Sequence, residues 1–225
     1  SAEGTSHLSG DSEFLAMNES ILEWMNETRS CGYLELLVEE AEEQEVGFDR
    51  VNLIKFRENV WGRPVKDSFE LYQPEAGGLT TIFFVDDCDS DETPPCLSNS
   101  RNGEILDADI ELNAVNFAIS LDGNTQGGAG CLSDLKNTFT HELGHLIGLD
   151  HTCWIEGTVR PVDDQGVPLP SCDSNLSSEI VEATMYNFQD CGETKKATLE
   201  ADDIAGFCAT YPLSADPGIC EPVAE

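Results

Sequence analysis

The segment 141–151 has the residue types and the spacing of a catalytic metal site. It reads H-E-x-x-H-x-x-G-x-x-H, with His141, His145 and His151 as candidate ligands. Residues four apart share one face of a helix, so the first two histidines can reach one ion. Gly148 permits the positive φ that ends a helix and brings His151 back as third ligand. Three imidazoles with one open position are typical of catalytic zinc, whereas a structural zinc has four protein ligands.

Glu142 follows the first histidine and is the candidate catalytic group. On a helix its carboxylate can lie beside a metal-bound water instead of on the metal, which predicts a general base acting on zinc-bound water. A lone histidine is more often a core residue, but three at this spacing are not explained in that way. Apolar residues at helical spacing predict that a helix carries the site: Leu135, Phe139, Leu143 and Leu146.

Length and charge limit the kinds of protein this chain can be. Its 225 residues, 40% of them hydrophobic, predict one domain over 1–225, with a polar segment 1–11, an N-terminal subdomain 12–151 and a C-terminal subdomain 152–225. We expect a monomer. The net charge of −33 argues against nucleic acid and membrane partners, because both need a positive surface. Calcium is a candidate second ion, and segment 86–92 carries five acidic residues, although their spacing matches no known calcium loop.

The nine cysteines predict disulfides and an oxidising compartment. None of them forms a C-x-x-C pair, and the zinc has ligands elsewhere. The chain starts at a polar Ser1, so we expect a secreted protein whose targeting segment has been removed. Connectivity stays open at this point, and one cysteine is left over. Proximity along the chain favours the pairs Cys88–Cys96, Cys153–Cys172 and Cys191–Cys208.

The elements around the motif alternate between helix and strand, which predicts an α+β fold. A helix is expected from Asp11 or Ser12 to about residue 28, and a last helix over 199–211, stopped by Pro212. Hydrophobic patterns predict four strands, over 33–38, 50–56, 79–85 and 105–112. The stretch 152–182 reads as irregular.

The zinc motif, followed by Ala183-Thr184-Met185-Tyr186, resembles the metzincin metalloproteases. Within that group the chain is most similar to the matrixins, and in particular to the secreted bacterial relatives of the matrix metalloproteases. The likeness covers about residues 12–212. It implies a metzincin-like catalytic domain with a twisted mixed β-sheet, an active-site helix, a Met-turn and a C-terminal helix. It also implies a zinc-dependent endopeptidase whose protein or peptide substrates are extended or unfolded chains.

The resemblance assigns roles to individual residues. The three histidines would bind one zinc ion, Glu142 would be the general base, and Met185 would form a hydrophobic floor beneath the metal. The strand 79–85 would be the upper edge of the cleft and pair with substrate by strand addition. Segment 186–196 would form the wall of the pocket for the residue after the cut bond. The candidate cleft residues are Leu79, Thr80, Thr81, Ile82, Phe83, Tyr186, Asn187 and Phe188.

The chain departs from the matrixin pattern in several places. Only His7 remains outside the motif, so we expect no second, structural zinc. The strand usual before the first helix is missing. The link 152–184 is longer than usual and holds two cysteines. Asn187 stands where the family has a proline, and where astacins have a tyrosine ligand.

Three alternatives remain open at this point. The first is a closer relation to the adamalysin or astacin branch. The second is a zinc-binding adhesion or interaction domain without turnover, although Glu142 is present and such proteins usually lose it. The third is a latent form that needs calcium or removal of a segment.

Overall fold

The computed structural model describes residues 4–39, 44–86, 101–123, 130–157, 159–163 and 166–218. These residues form an α+β fold with a mixed sheet and four α-helices. The helices are α1 (Ser12–Thr28), α2 (Leu135–Leu146), α3 (Ser178–Glu182) and α4 (Ala201–Thr210). Among the described residues, no helix has the length and apolar character that a membrane span requires.

Seven strands form one three-stranded sheet and two small pairs. They are β1 (Ile54–Arg57), β2 (Gly62–Val65), β3 (Ser68–Leu71), β4 (Gly78–Phe84), β5 (Ile105–Asn113), β6 (Ala118–Ser120) and β7 (Leu132–Asp134). The order in the main sheet is β1-β5-β4, with β1 parallel and β4 antiparallel to β5. Strand β4 is an edge strand within the described part of the chain, because it pairs on one side only.

The core lies between the main sheet and helices α1, α2 and α4. Trp24, Phe139 and Phe207 are fully buried there, and the indole of Trp24 donates a hydrogen bond to the carbonyl of Thr140 at 3.0 Å. This contact satisfies the one polar group that the indole brings into the core. This hydrogen bond therefore ties helix α2 to helix α1.

Strand β5 is buried on both faces, although its sequence alternates apolar and acidic residues. Asp107, Asp109 and Glu111 are at most 1% exposed. Backbone N–H groups of Gly47 and Leu53 donate to Asp109, and burial raises the pKa of Asp109 to about 6. Buried acidic groups need such partners, so this row holds the chain segment before β1 against the sheet.

Glu111 is the centre of a second buried network on the same face of β5. It pairs with the guanidinium groups of Arg57 and Arg63 and accepts from the hydroxyl of Tyr72 at 2.9 Å. These partners come from β1 and from the β2–β3 hairpin and its end. The network therefore covers the sheet with the hairpin and supports β4 from behind, where Arg63 also donates to Thr81.

Most of the predicted elements are confirmed, with small shifts of their ends. Helix α1 begins at Ser12 and ends at Thr28 as predicted, and α4 lies within the predicted 199–211. Strands β4 and β5 match the predictions for 79–85 and 105–112 to within a residue. The predicted strand 50–56 begins only at Ile54.

The strand predicted over 33–38 is wrong. These residues join no strand, and the nearest backbone pairing is an isolated bridge between Gly32 and Pro212. Leu34 and Leu36 pack instead against the core, where the N–H of Leu36 contacts the sulfur of Met25 in α1 at 3.3 Å, whereas Leu37 and Val38 are exposed. No strand is predicted from the sequence between 57 and 78, where the β2–β3 hairpin lies; Pro64 is inside β2, and proline is unfavourable within a strand.

The disulfides correct one predicted pair and confirm another. Cys153–Cys172 is present as predicted. The predicted Cys191–Cys208 pair is wrong, because the two residues belong to different parts of the fold. The bonds found there are Cys31–Cys208 and Cys131–Cys191. The predicted Cys88–Cys96 pair and most of the acidic segment 86–92 lie outside the described residues.

Candidate metal centre

Helix α2 presents two of the candidate ligands. The side chain of Asp134 caps the helix by accepting from the N–H of Asn137 at 2.9 Å, a favourable arrangement at a helix N-terminus. His141 and His145 follow one turn apart, with their rings 4.8 Å apart. The helix thus places both imidazoles on one face, as the spacing predicts.

The chain turns sharply after α2 and brings back the third histidine. Gly148 has a φ of 89°, in the left-handed region that favours glycine, and its N–H bonds to the carbonyl of His145 at 2.8 Å. The turn returns His151 to the helix. Its Nε2 lies 3.0 Å from Nε2 of His145 and 3.3 Å from Nε2 of His141.

Backbone carbonyls set the tautomers of the two helical histidines. Nδ1 of His141 lies 2.6 Å from the oxygen of Thr184, and Nδ1 of His145 lies 2.8 Å from the oxygen of Leu149. A carbonyl only accepts, so each Nδ1 carries the hydrogen and each neutral ring keeps an Nε2 lone pair. Such contacts orient the ligands in metal sites.

Burial keeps the imidazoles of His141 and His151 uncharged. It is the largest cause that lowers the pKa of His141 well below its usual value, and neighbouring His145 adds to it. Burial likewise lowers the pKa of His151 to about 4. Neutral imidazole is the form that binds metals, so these rings need no proton loss near neutral pH.

The converging nitrogens fit a metal ion. Tetrahedral zinc, with bonds of about 2.0–2.1 Å to nitrogen, holds its ligand nitrogens about 3.3 Å apart, close to the separations found here. Without a cation between them, the Nε2 lone pairs of His141 and His145 would face a common point and repel. The three histidines could therefore hold a metal ion, and the described residues contain no other group of three ligand side chains this close together.

Glu142 lies beside this cluster and against the edge strand. Its Oε2 accepts a hydrogen bond of 2.6 Å from the hydroxyl of Thr80 in β4. A Cβ at Gly78 would come within 2.5 Å of Glu142 Oε1, so the missing side chain makes room for the carboxylate. Burial raises the pKa of Glu142, and the Thr80 hydrogen bond opposes that rise.

Met185 packs directly against Gly144 of α2. A Cβ at Gly144 would clash with its sulfur, so glycine allows the close contact. The N–H groups of Thr184 and Met185 both donate to the carboxylate of Asp203 in α4, at 2.9 and 3.0 Å. Asp203 thus fixes the turn whose Thr184 carbonyl holds His141. No local sequence pattern marks Asp203 as part of the site.

The predicted cleft residues of β4 point to opposite faces of the strand. Thr80 contacts Glu142, whereas Thr81 accepts from Arg63 at 2.9 Å and Phe83 packs on Phe48 with the rings 5.3 Å apart. Leu79, Thr81 and Phe83 share the face away from α2, and Thr80 and Ile82 share the face toward it. All five residues still contribute their backbone groups to the edge of β4.

The residues predicted for the pocket wall follow directly after Met185. The rings of Tyr186 and Phe188 meet edge to face, 5.7 Å apart. Asn187 places its side-chain oxygen 3.0 Å from the sulfur of Cys153, so it contacts the Cys153–Cys172 disulfide.

Polar contacts that sequence analysis missed tie this wall to the start of α2. Gln189 Oε1 accepts from Asn137 at 3.0 Å, and the side-chain oxygen of Asn137 accepts from the N–H of Lys196 at 2.8 Å. Lys196 is only 2% exposed, and its ammonium donates to the carbonyl of Tyr186. A buried lysine is unusual, and no pattern in the sequence around Lys196 predicts that its side chain is buried.

Comparison with known protein families and with curated proteins gives no match for this chain. The residues of the site and their geometry therefore carry the functional argument.

Proposed function

We propose that this protein is a secreted zinc-dependent endopeptidase of the metzincin type, similar to the matrixins. One observation carries the proposal. Three imidazole nitrogens converge within bonding range of one ion, and the carboxylate of Glu142, which follows the first of them, lies beside the cluster on the edge strand. Ligands, base and a strand edge thus meet at one place.

The donor set favours zinc. Three neutral imidazoles suit zinc among the common metals, and three protein ligands leave a fourth position open, as in catalytic sites. Bound there, zinc would act as a Lewis acid that makes a water molecule acidic near neutral pH and stabilises the oxyanion of the transition state. His141, His145 and His151 would hold it.

Glu142 would move the proton during peptide hydrolysis. Its carboxylate takes a proton from the attacking water, and the resulting carboxylic acid gives that proton to the nitrogen of the leaving amine. Burial raises the pKa of Glu142, which makes it a better base than an exposed glutamate. The cut carbon keeps the water's oxygen, so the products are a carboxylate and an amine.

The unpaired edge of β4 suggests how the substrate would lie. Within the described residues, β4 bonds only to β5, and its free N–H and carbonyl groups can bind an extended peptide as a further strand. Segment 186–196, whose Gln189 accepts from Asn137 of α2, would form the wall of the pocket for the residue after the cut bond. The substrate class proposed is accordingly extended or unfolded protein.

Two further features support the proposed family and location. Met185 packs against Gly144, the residue before His145, and this contact supports the assignment of Met185 to a Met-turn. The three disulfides are compatible with an oxidising, extracellular compartment.

The test is protein cleavage that depends on a stoichiometric metal ion. We expect the purified chain to bind one zinc ion, to cleave casein, to lose cleavage when a chelator removes the ion, and to regain it when zinc returns. Equal cleavage after complete metal removal would contradict the proposal. Binding of one zinc ion without any cleavage would favour a zinc-binding interaction domain or a latent form.

A further inference from the structure

Strand β4 contacts the candidate base, Glu142, and also offers the free backbone edge to which a substrate would bind. The hydroxyl of Thr80 lies 2.6 Å from Oε2 of Glu142 and 3.2 Å from its backbone oxygen. The shorter distance is that of a charge-assisted bond to an ionised carboxylate. Gly78, two residues earlier on the same face, leaves room for the other oxygen, Oε1.

This hydrogen bond is the main restraint on the carboxylate. Glu142 is 5% exposed, and among the described residues no other side chain donates to it. The nearby ammonium of Lys196 donates to the carbonyl of Tyr186 instead. A glutamate side chain has several rotatable bonds, so a single held oxygen decides where the second one points.

We propose that Thr80 is a positioning residue for Glu142. Its hydroxyl holds Oε2, which leaves Oε1 to take the proton of the attacking water and to pass it to the leaving amine. The Thr80 bond does not compete with this transfer, because its own hydrogen stays on the threonine oxygen. The catalytic role of Thr80 rests on the proposed function, whereas the hydrogen bond between Thr80 and Glu142 can be tested without it.

The arrangement links the base to the substrate through one strand. Thr80 is also in the β4 register, opposite Ile110 of β5. A peptide bound to the free edge of β4 and the carboxylate of Glu142 would therefore share one rigid support. Rigid placement of base and substrate is a large part of catalysis, since small displacements cost rate.

The catalytic test compares Thr80→Val with Thr80→Ser. Valine has nearly the shape of threonine but no hydroxyl, and serine keeps the hydroxyl. We expect Thr80→Val to lower kcat on casein-derived peptides about tenfold, a part of the 10²–10⁴-fold that a general base contributes. KM and zinc affinity should stay within about twofold, and Thr80→Ser should restore kcat to within about threefold of the parent.

Thr28→Val is the matched control. Thr28 is buried in α1, and its hydroxyl donates to the carbonyl of Trp24 at 2.7 Å. The Thr28→Val variant therefore loses a similar hydroxyl hydrogen bond, but one that does not involve Glu142. It should leave kcat unchanged. An equal loss of kcat in Thr28→Val and Thr80→Val, or a Thr80→Ser variant as slow as Thr80→Val, would overturn the proposal.

A second readout needs no turnover. In the zinc-free chain, Thr80→Val should lower the melting temperature, and the same change should have a clearly smaller effect when Glu142 is already alanine, because only the longer bond to the backbone oxygen is then lost. Equal shifts in both backgrounds would overturn the positioning contact. A parent chain that binds zinc but cleaves nothing would overturn the proposed function instead, whatever the melting temperatures show.

Discussion

The two histidines of α2 are held in the metal-binding form by backbone oxygens, whereas the position of His151 depends on the turn after the helix. Thr184 and Leu149 accept from the Nδ1 atoms of His141 and His145. Gly148 then decides whether the third imidazole reaches the other two. The third ligand is therefore the one whose loss should leave the rest of the site in place.

We expect His151→Ala to weaken zinc binding by at least about 100-fold, since even loss of a residue that only orients a ligand costs 10–100-fold. Competition with a chromophoric chelator measures the affinity. His7→Ala is the control, because His7 lies outside the site and accepts from the N–H of Ile119 at 3.2 Å. Equal zinc affinity in the His151 variant and the parent would contradict the assignment.

Lys196 predicts a pH dependence of stability. Burial lowers the pKa of Lys196 from its ordinary 10.5 to about 8. Between these values the unfolded chain binds more protons than the folded one, so the contribution of Lys196 to stability rises with pH across that window. Urea unfolding from pH 8 to 10.5 should show the parent gaining free energy of unfolding relative to Lys196→Met. If the free energy of unfolding changed with pH in the same way in the parent and in Lys196→Met, the lowered pKa of Lys196 would be contradicted.

The ligands could be predicted from the sequence, but the residues that support them could not. His141 and His145 are one helical turn apart, so local spacing decides their geometry. Thr80 lies 62 residues from Glu142, and Asp203 lies 18 residues from Met185. No local pattern contains such distant contacts, and threonine and aspartate have many other uses in a chain.

Helix α2 meets Met185 through a glycine, and this contact opposes the usual preference of helices for alanine over glycine. Alanine is favoured over glycine inside a helix by about 1 kcal/mol. At Gly144, however, a Cβ would clash with the sulfur of Met185 and come within 3.2 Å of Trp24. Both neighbours are buried, so the core has little room to adjust.

We expect Gly144→Ala to lower the free energy of unfolding by about 1 kcal/mol, because overpacking typically costs 1–3 kcal/mol and exceeds the helix preference. Denaturant unfolding measures it. Gly206→Ala in α4 is the control: its new Cβ would meet only the end of Leu149, at 3.3 Å, so helix preference should prevail. A stabilised Gly144→Ala variant would show that Met185 is not packed as described.

Elements with a strong internal pattern could be predicted, whereas pairing between distant segments could not. α1 and β5 each carry a regular apolar repeat, and both were found at the predicted places. Residues 33–38 are equally apolar, but only Leu34 and Leu36 pack on the core, Leu37 and Val38 are exposed, and the segment joins no sheet. A hydrophobic run thus specifies neither a partner strand nor the burial of every side chain in it.

The disulfides close loops of very different length across the molecule. Cys31–Cys208 joins the end of α1 to α4 across 177 residues, whereas Cys153–Cys172 spans 19. The loop-closure entropy that a disulfide removes from the unfolded chain grows with loop length. It stabilises the fold by about 5 kcal/mol for Cys31–Cys208 and by about 3 kcal/mol for Cys153–Cys172. The shorter bond lies two residues after His151 and contacts Asn187.

The two disulfides should therefore differ in what their removal does. We expect Cys31→Ala/Cys208→Ala to lower the free energy of unfolding by about 2 kcal/mol more than Cys153→Ala/Cys172→Ala. The second pair of changes should reduce cleavage more, because it releases the chain beside the third ligand. Thermal unfolding and casein cleavage, measured on both variants, check this; the reverse order in both assays would contradict it.

Acidic residues greatly outnumber basic ones in this molecule. The chain has 11 basic residues against 44 acidic ones. Arg57 and Arg63 are committed to the buried carboxylate of Glu111. The remaining surface is strongly negative, which predicts poor binding to nucleic acids and anionic membranes.

The most direct measurement compares casein cleavage by the zinc-loaded parent with that by Glu142→Ala at equal zinc content. A zinc endopeptidase with Glu142 as its base predicts cleavage by the parent and a loss of at least about 100-fold in the variant, with one zinc ion bound to each. Equal cleavage by both chains would contradict the role of Glu142, and so the central claim.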